Sequence, residues 1–211
     1  MNAAEANFSC RCGMVGGHLA DASPPYVNHA ICYCGDCQAF AHCLGRPDLL
    51  DSRGGSDIVQ VAPGRLSFAR GQDRIRGVRL SPKGLFRWYA DCCKTPLGNT
   101  VGPAIPLVGL PVAVFADSAQ PSEQLFGRPS GAVFGEHAIG GPPPGSKGVS
   151  LRLMLPSVLR VLGWKLTGKA SPNPFFDRRT GKPRFPAAVL SRAERDALRP
   201  LCGPHPSRPA A

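Results

Sequence analysis

The chain has 211 residues, and its 25 glycines and 23 prolines make up nearly a quarter of them, about twice ordinary usage. That share argues against a helical bundle, while 43% hydrophobic and 18% charged residues exclude wholesale disorder, leaving a loop-rich or turn-rich β domain with an extension. The formal net charge of +11 is uneven: residues 1–150 hold 13 Lys/Arg against 11 Asp/Glu, and residues 151–211 hold 12 against 3, so the basic character belongs to the C-terminal region.

Residues 1–8 carry Glu5, with no basic n-region and no apolar run behind it. A secretory signal is not expected, and the implied address is cytoplasmic. Residues 8–19 and 26–33 read as strands entering cysteine-bearing turns, and residues 36–44 as about two turns of helix before a glycine-rich loop. Residues 57–62 and 66–69 alternate as a hairpin around Pro63 and Gly64, and residues 75–80 with 85–89 as a second around Pro82, Lys83 and Gly84. Residues 95–116 form an uncharged stretch of 22. Pro96, Pro103, Pro106 and Pro111 interrupt it, which predicts buried strands and turns and no transmembrane segment.

Residues 122–126 fit one helical turn, and residues 140–148, with three consecutive prolines, a linker or lid. Beyond it Leu151, Leu155, Val158, Leu159, Leu162 and Leu166 recur at helical spacing, which predicts a helix over 157–167. Ser191 and Glu194 form the ends of a capping box that opens a second, short basic helix. The expected organisation is a β domain at residues 1–120, an irregular connection at 121–148 and a basic helical extension at 149–211.

Nine cysteines in a reducing compartment point to metal or thiol chemistry rather than a disulfide framework. Eight fall in three clusters: Cys10 and Cys12; Cys32, Cys34 and Cys37, with Cys43 six residues later; and the adjacent Cys92 and Cys93. Close-spaced thiolates on a tight turn converge on one ion, and a pair from a distant strand can complete a tetrahedral zinc shell. Three thiolates on one turn can instead hold a metal with the fourth position left for water or a substrate thiolate. Cys43 and Cys202 stand outside ligand spacing and read as packed thiols.

Three segments carry a resemblance: Ser9-Cys10-Arg11-Cys12-Gly13, Cys32-Tyr33-Cys34-Gly35-Asp36-Cys37-Gln38 and Cys93-Lys94-Thr95-Pro96-Leu97. They resemble, in order, the signature segments of the glutathione-dependent formaldehyde-activating enzyme and centromere-protein-V family, over about residues 8–100. The resemblance implies an Mss4-like antiparallel β fold binding one or two Zn2+. It implies a structural zinc beginning with Cys10 and Cys12 and shared with the third segment, and a second zinc on Cys32, Cys34 and Cys37 linked to the chemistry. The implied activity is carbon–sulfur lyase action on a glutathione adduct such as S-hydroxymethylglutathione. Tyr89 holds the aromatic position before the third signature, but Ala90 stands where the family has a cysteine. Cys92 can substitute from a shifted register, although adjacent residues on an extended strand point to opposite faces. The site then holds three thiolates plus another ligand, with Asp91, His18, His29 and His42 available, or a local bulge turns both thiols inward. The longer segment between Cys37 and Cys93, and everything after residue 120, depart from the family and imply a distinct subfamily.

A glutathione-like substrate carries carboxylates, for which Arg11, Arg46 and Arg87 are the nearest basic candidates. Two other classes remain. One is a non-enzymatic zinc-stabilised module that meets nucleic acid or an acidic partner through Arg178, Arg179, Lys182, Arg184, Arg192, Arg195 and Arg199. There Phe175, Phe176 and Phe185 either stack on bases or are buried by a docked tail. The other is membrane-surface attachment through residues 151–166, with Trp164 and Lys165 at the interface; packing of that stripe on the β domain is the stronger expectation.

Overall fold

The computed structural model describes residues 5–24, 26–118, 120–144, 146 and 151–204, and for 151–154 the backbone only. The described chain is mainly β, in two sheets. The smaller is antiparallel and comprises β1 (Ala6–Ser9), β2 (Gly16–Leu19) and, further along, β5 (Leu66–Arg70), in the order β1-β2-β5. The larger has eight strands: β3 (Asn28–Cys32), β4 (Ser56–Val61), β6 (Ile75–Arg79), β7 (Phe86–Ala90), β8 (Thr95–Thr100), β9 (Val108–Pro111), β10 (Ala132–Val133) and β11 (Ala187–Val189). Their order is β10-β3-β4-β9-β8-β7-β6-β11. The inner pairings are antiparallel, and the two short edge strands β10 and β11 run parallel to β3 and β6.

The expected hairpin around Pro82 to Gly84 is β6–β7. The hairpin expected around Pro63 and Gly64 does not form. A 3-10 turn at Pro63–Arg65 redirects the chain, so β4 pairs with β3 and β9 in the large sheet while β5 pairs with β2 in the small one. Alternation marks both as strands without naming their partners. Residues 95–116 supply β8, β9 and a 3-10 turn, as expected. Among the described residues no helix is long and apolar enough to cross a membrane.

The core lies between the sheets. Trp88 on β7 is fully buried, stacks on Phe86 and Phe175, and donates from Nε1 to Thr100 Oγ1 at 2.9 Å. Phe68 of the small sheet meets Phe8, Phe175 and Phe185 edge to face, the favoured arrangement for aromatic quadrupoles. Phe175, Phe176 and Phe185 are therefore core residues and are not available to stack on bases.

The described residues also form four α-helices: α1 (Gly35–Cys43), α2 (Ser122–Phe126), α3 (Leu151–Leu166) and α4 (Arg192–Leu198). The capping box of α4 is present, with Ser191 Oγ accepting from the Glu194 amide and Glu194 Oε2 from the Ser191 amide. Helix α3 starts six residues earlier than expected, with Pro156 inside it. It packs through Ser157 and the buried Trp164, leaving Leu155, Val158, Leu159, Leu162 and Leu166 exposed. The expectation that this stripe packs on the β domain is thereby corrected. Part of the connection expected at 140–148 (residues 145, 147 and 148) lies outside the described residues.

Candidate metal centres

The first centre forms where two turns meet. After β1 the chain reverses through Cys10 to Val15, closed by Cys10 N donating to Val15 O and by Gly13 N donating to Cys10 O, with Gly13 at φ +74°. From the other side, β7 ends at Ala90 and residues 91–94 turn into β8, with Lys94 at φ 55°. This turn resolves the question posed by adjacent cysteines. Cys92 and Cys93 are not on extended strand, so both thiols face Cys10 and Cys12, and the four sulfurs lie within 4.8 Å of one another. Ala90 points into the core and is fully buried, so the cysteine missing there is not missing from the site.

The sulfur separations test the fit to a metal. They are 3.6 Å for Cys10–Cys12, 3.9 Å for Cys10–Cys92, 3.3 Å for Cys12–Cys92 and 3.9 Å for Cys92–Cys93. Tetrahedral zinc–thiolate bonds of about 2.3 Å place sulfurs roughly 3.8 Å apart, so the set fits a closed four-sulfur site. Burial pushes Cys93 up, but hydrogen bonds from Thr95 Oγ1 and from Cys12 outweigh it and bring the thiol down to about 6. Burial and the neighbouring thiols push Cys10 and Cys92 up. Burial and crowding of thiols thus oppose further ionisation at Cys10 and Cys92, the condition a divalent cation relieves.

The alternative ligands are elsewhere. Asp91 pairs with Lys94. His18 Nδ1 meets Asn7 Oδ1 at 2.6 Å, and His29 bridges Asp57 Oδ1 at 2.6 Å and Gly127 O at 2.7 Å. Neither they nor His42 join a cysteine group.

The second centre is built at a helix start. Cys32 ends β3, Cys34 is the N-cap of α1, and Cys37 lies in its first turn with its amide donating to Cys34 O at 3.0 Å. A three-residue step from the N-cap returns to the same side of the helix, which is why C-x-C-x-x-C converges here. Cys32 and Cys34 sulfurs are 3.4 Å apart and Cys37 and Cys32 sulfurs 3.7 Å, again close to zinc–thiolate packing. Among the described residues no fourth His, Cys, Asp or Glu joins them.

Two features distinguish this centre. Arg87 of β7, 1% exposed, lies behind it with Nη1 3.8 Å from Cys37 Sγ and 3.2 Å from Asn99 Oδ1, and Nη2 3.7 Å from Asp36 Oδ2. Hydrogen bonds from Cys32 and Cys34, aided by Arg87, hold Cys37 well below the usual thiol range against burial. Cys32 is pushed up by hydrogen bonds to Cys34 and Cys37, and Cys34 up to about 12: the bond to Cys32 lowers it, but that to Cys37 and burial outweigh this.

In front lies a cavity of about 200 Å³ lined by the three cysteines and by Ile58, Leu107, Val133 and Phe134, with Gln60, Asn99 and Thr100 as its polar side chains. Among the described residues no charged one lines it. Arg11 and Arg46 sit together in a separate cleft with Thr95 and Asp117, where Arg46 is paired with Asp48. The three arginines expected to meet substrate carboxylates are therefore not in this cavity.

The chain belongs to DUF6151. This family of unknown function matches residues 3–187, a span that contains both cysteine groups, the whole cavity wall and the three core phenylalanines. No curated protein matches the chain. A crystal structure of a Rhodobacter sphaeroides protein from a structural-genomics programme is similar over 60% of this chain and 99% of its own, at 14% identity and a TM-score of 0.41. That likeness is too distant to carry an argument. In this DUF6151 chain Cys43 and Cys202 are half-buried and belong to neither group, as expected.

The sequence reading missed the cavity wall, including Gln60 and Asn99, and the true partner of Arg87. A signal for Arg87 was present: it is the one charged residue inside the apolar strand Phe86–Ala90, and a charge in a buried strand requires a partner.

Proposed function

We propose that the protein binds two zinc ions, a structural one on Cys10, Cys12, Cys92 and Cys93 and a reactive one on Cys32, Cys34 and Cys37, and that it is a carbon–sulfur lyase acting on a small thiol adduct. The observation that carries this reading is the three-sulfur group facing a cavity, with no fourth His, Cys, Asp or Glu joining it among the described residues. When bound there, zinc would supply a Lewis acid able to hold a substrate sulfur as its thiolate. The chain's own residues do the rest. Arg87 offsets the negative charge gathered by the cysteines, and the apolar walls exclude bulk water and so strengthen that interaction. Gln60, Asn99 and Thr100 are the polar groups placed to orient a hydroxyl or carbonyl of the adduct.

The resemblance to the formaldehyde-activating family supports an Mss4-like fold and a hydroxymethyl thioether as substrate. The uncharged lining supports a compact adduct whose carboxylates, if it is glutathione, lie outside the cavity. The non-enzymatic alternative is favoured by a different feature: Arg178, Arg179, Lys182 and Arg184 are all exposed around a turn that Asp177 closes. Binding to nucleic acid through this turn would weaken steeply with salt.

Metal content per chain, measured by mass spectrometry for wild type, Cys34→Ser and Cys93→Ser, tests the proposal alongside thiol release from S-hydroxymethylglutathione and smaller hydroxymethyl thiols. Two zinc ions are expected in wild type and one in each variant, with thiol release abolished in Cys34→Ser. Wild-type turnover by a Cys34→Ser variant that lacks its zinc would overturn it.

A further inference from the structure

Helix α3 is an apolar surface that neither metal centre uses. Its inner side is fixed by Ser157, whose hydroxyl donates to Gln60 Oε1 at 3.1 Å and accepts from Asn28 Nδ2 at 3.0 Å, and by Trp164, 6% exposed. Successive helical residues advance by about 100°, so Leu155, Val158, Leu159, Leu162 and Leu166 share the opposite side. They are between 48% and 85% exposed. A surface helix normally turns its apolar stripe to the core and its polar face to water; α3 turns a leucine-rich stripe outward.

The chain that carries and flanks it is basic. Residues 138–176 contain Lys147, Arg152, Arg160, Lys165 and Lys169 and no Asp or Glu, and Lys165 and Lys169 are exposed. A second copy packed stripe to stripe would gather these like charges, whereas a negatively charged lipid surface would neutralise them. The helix has 16 residues, which at about 1.5 Å each fall short of the roughly 30 Å of a bilayer's hydrocarbon core. That length suits a helix lying in the interface rather than crossing it.

We propose that α3 docks the protein on an anionic phospholipid bilayer, with its outward stripe in the boundary between headgroups and acyl chains and Lys165 and Lys169 against lipid phosphates. Because Gln60 both holds Ser157 and lines the cavity beside the cysteine triplet, the docking helix is anchored to a wall of the candidate reactive site.

The test is flotation of the zinc-loaded full chain with vesicles of phosphatidylcholine alone and of phosphatidylcholine mixed with phosphatidylglycerol. Co-flotation is expected with the mixed vesicles only, weakening as salt rises. The double variant Leu159→Glu, Leu162→Glu is expected to lower partitioning on the order of 100-fold with zinc content and circular dichroism unchanged, since both side chains are exposed. The proposal is overturned if wild type does not float, if it floats equally with neutral vesicles, or if the double variant floats like wild type. It is also overturned if light scattering shows a wild-type dimer that the double variant makes monomeric, because the stripe then belongs to a second copy. Loss of flotation in Arg178→Gln, Arg179→Gln, Lys182→Gln together with its retention in the leucine variant would assign binding to the basic turn and equally overturn it.

Discussion

Replacing Arg87 by methionine keeps most of the side chain's volume and removes its charge. With a divalent cation bound, the three thiolates of the second centre would leave one net negative charge, and the guanidinium lies 3.8 Å from the nearest sulfur. At an effective dielectric near 20, two unit charges at that distance attract by about 4 kcal/mol. The centre's charge is spread over three sulfurs, and Asp36 competes for the same guanidinium from 3.7 Å, so roughly half of this belongs to the site. About 2–3 kcal/mol corresponds to a loss of zinc affinity of about 100-fold at one of two sites. Arg87 also has a buried Nε without a hydrogen-bond partner, which means that charge, more than complete hydrogen bonding, holds it there. The assay is competition with a chromophoric chelator, read as two steps. In Arg87→Met one step weakens about 100-fold and the other is unchanged, while Arg87→Lys, which keeps the charge, loses less than tenfold. Equal losses in the methionine and lysine variants would show that shape and not charge supports the centre, and would refute the electrostatic reasoning.

Cys12→Ser is expected to cost one zinc, leave the triplet's zinc in place, and lower Tm by about 10 °C, because binding at a structural site is coupled to folding; mass spectrometry and a thermal melt check both. Gly17→Ala would place a Cβ 2.0 Å from Ser67 O and 2.6 Å from the Phe8 ring. In the middle strand of the small sheet that crowding costs about 2 kcal/mol or more, a fall in Tm of roughly 4–8 °C. For His29, burial lowers the imidazolium's pKa but hydrogen bonds to Asp57 and Gly127 O raise it further, so the net direction is upward. Its contribution is therefore fully present below the unfolded value of about 6.5 and lost as pH rises through the raised folded value. Urea titrations of wild type and His29→Gln should differ by about 1–3 kcal/mol at pH 5.5 and converge as the solution becomes alkaline.

The sequence makes legible those features that local chemistry fixes. Cysteine spacing identifies both thiol groups, Pro82-Lys83-Gly84 identifies the β6–β7 hairpin, and Ser191 with Glu194 identifies the start of α4. Each is settled within a few residues, except the joining of Cys10 and Cys12 to Cys92 and Cys93 from 80 residues away. What the sequence does not carry is the choice of partner. The alternation in β4 and β5 is that of a hairpin, but the turn at Pro63–Arg65 sends them to different sheets. The period of α3 says which leucines share a side, not whether that side meets the core, and two hydrogen bonds through Ser157 help turn it outward. The convergence of Cys92 with Cys93 depends on a backbone turn with Lys94 at positive φ, a conformation that a lysine does not advertise.

The two cysteine groups differ in a way that charge and solvation together explain. Four thiolates around one divalent cation leave two net negative charges, and the first group keeps Cys12 and Cys92 exposed, so water screens that charge. The second group sits deeper, with Cys37 buried against a cavity of uncharged residues, where an unbalanced charge is far more costly. Its three thiolates with one divalent cation would leave a single negative charge, which one buried arginine, shared with the exposed Asp36, offsets in part. A fourth cysteine thiolate would add a permanent second negative charge, and the described residues provide no further cation in the cavity wall to offset it, whereas a substrate sulfur would place its charge there only transiently. Strand β7 serves both arrangements, carrying Arg87 in its middle and delivering Cys92 and Cys93 from its end. With a divalent cation bound, three sulfurs rather than four would thus keep the unbalanced charge beside this uncharged wall small, and under the proposed function the same condition would favour a ligand that arrives as a neutral adduct over one already charged.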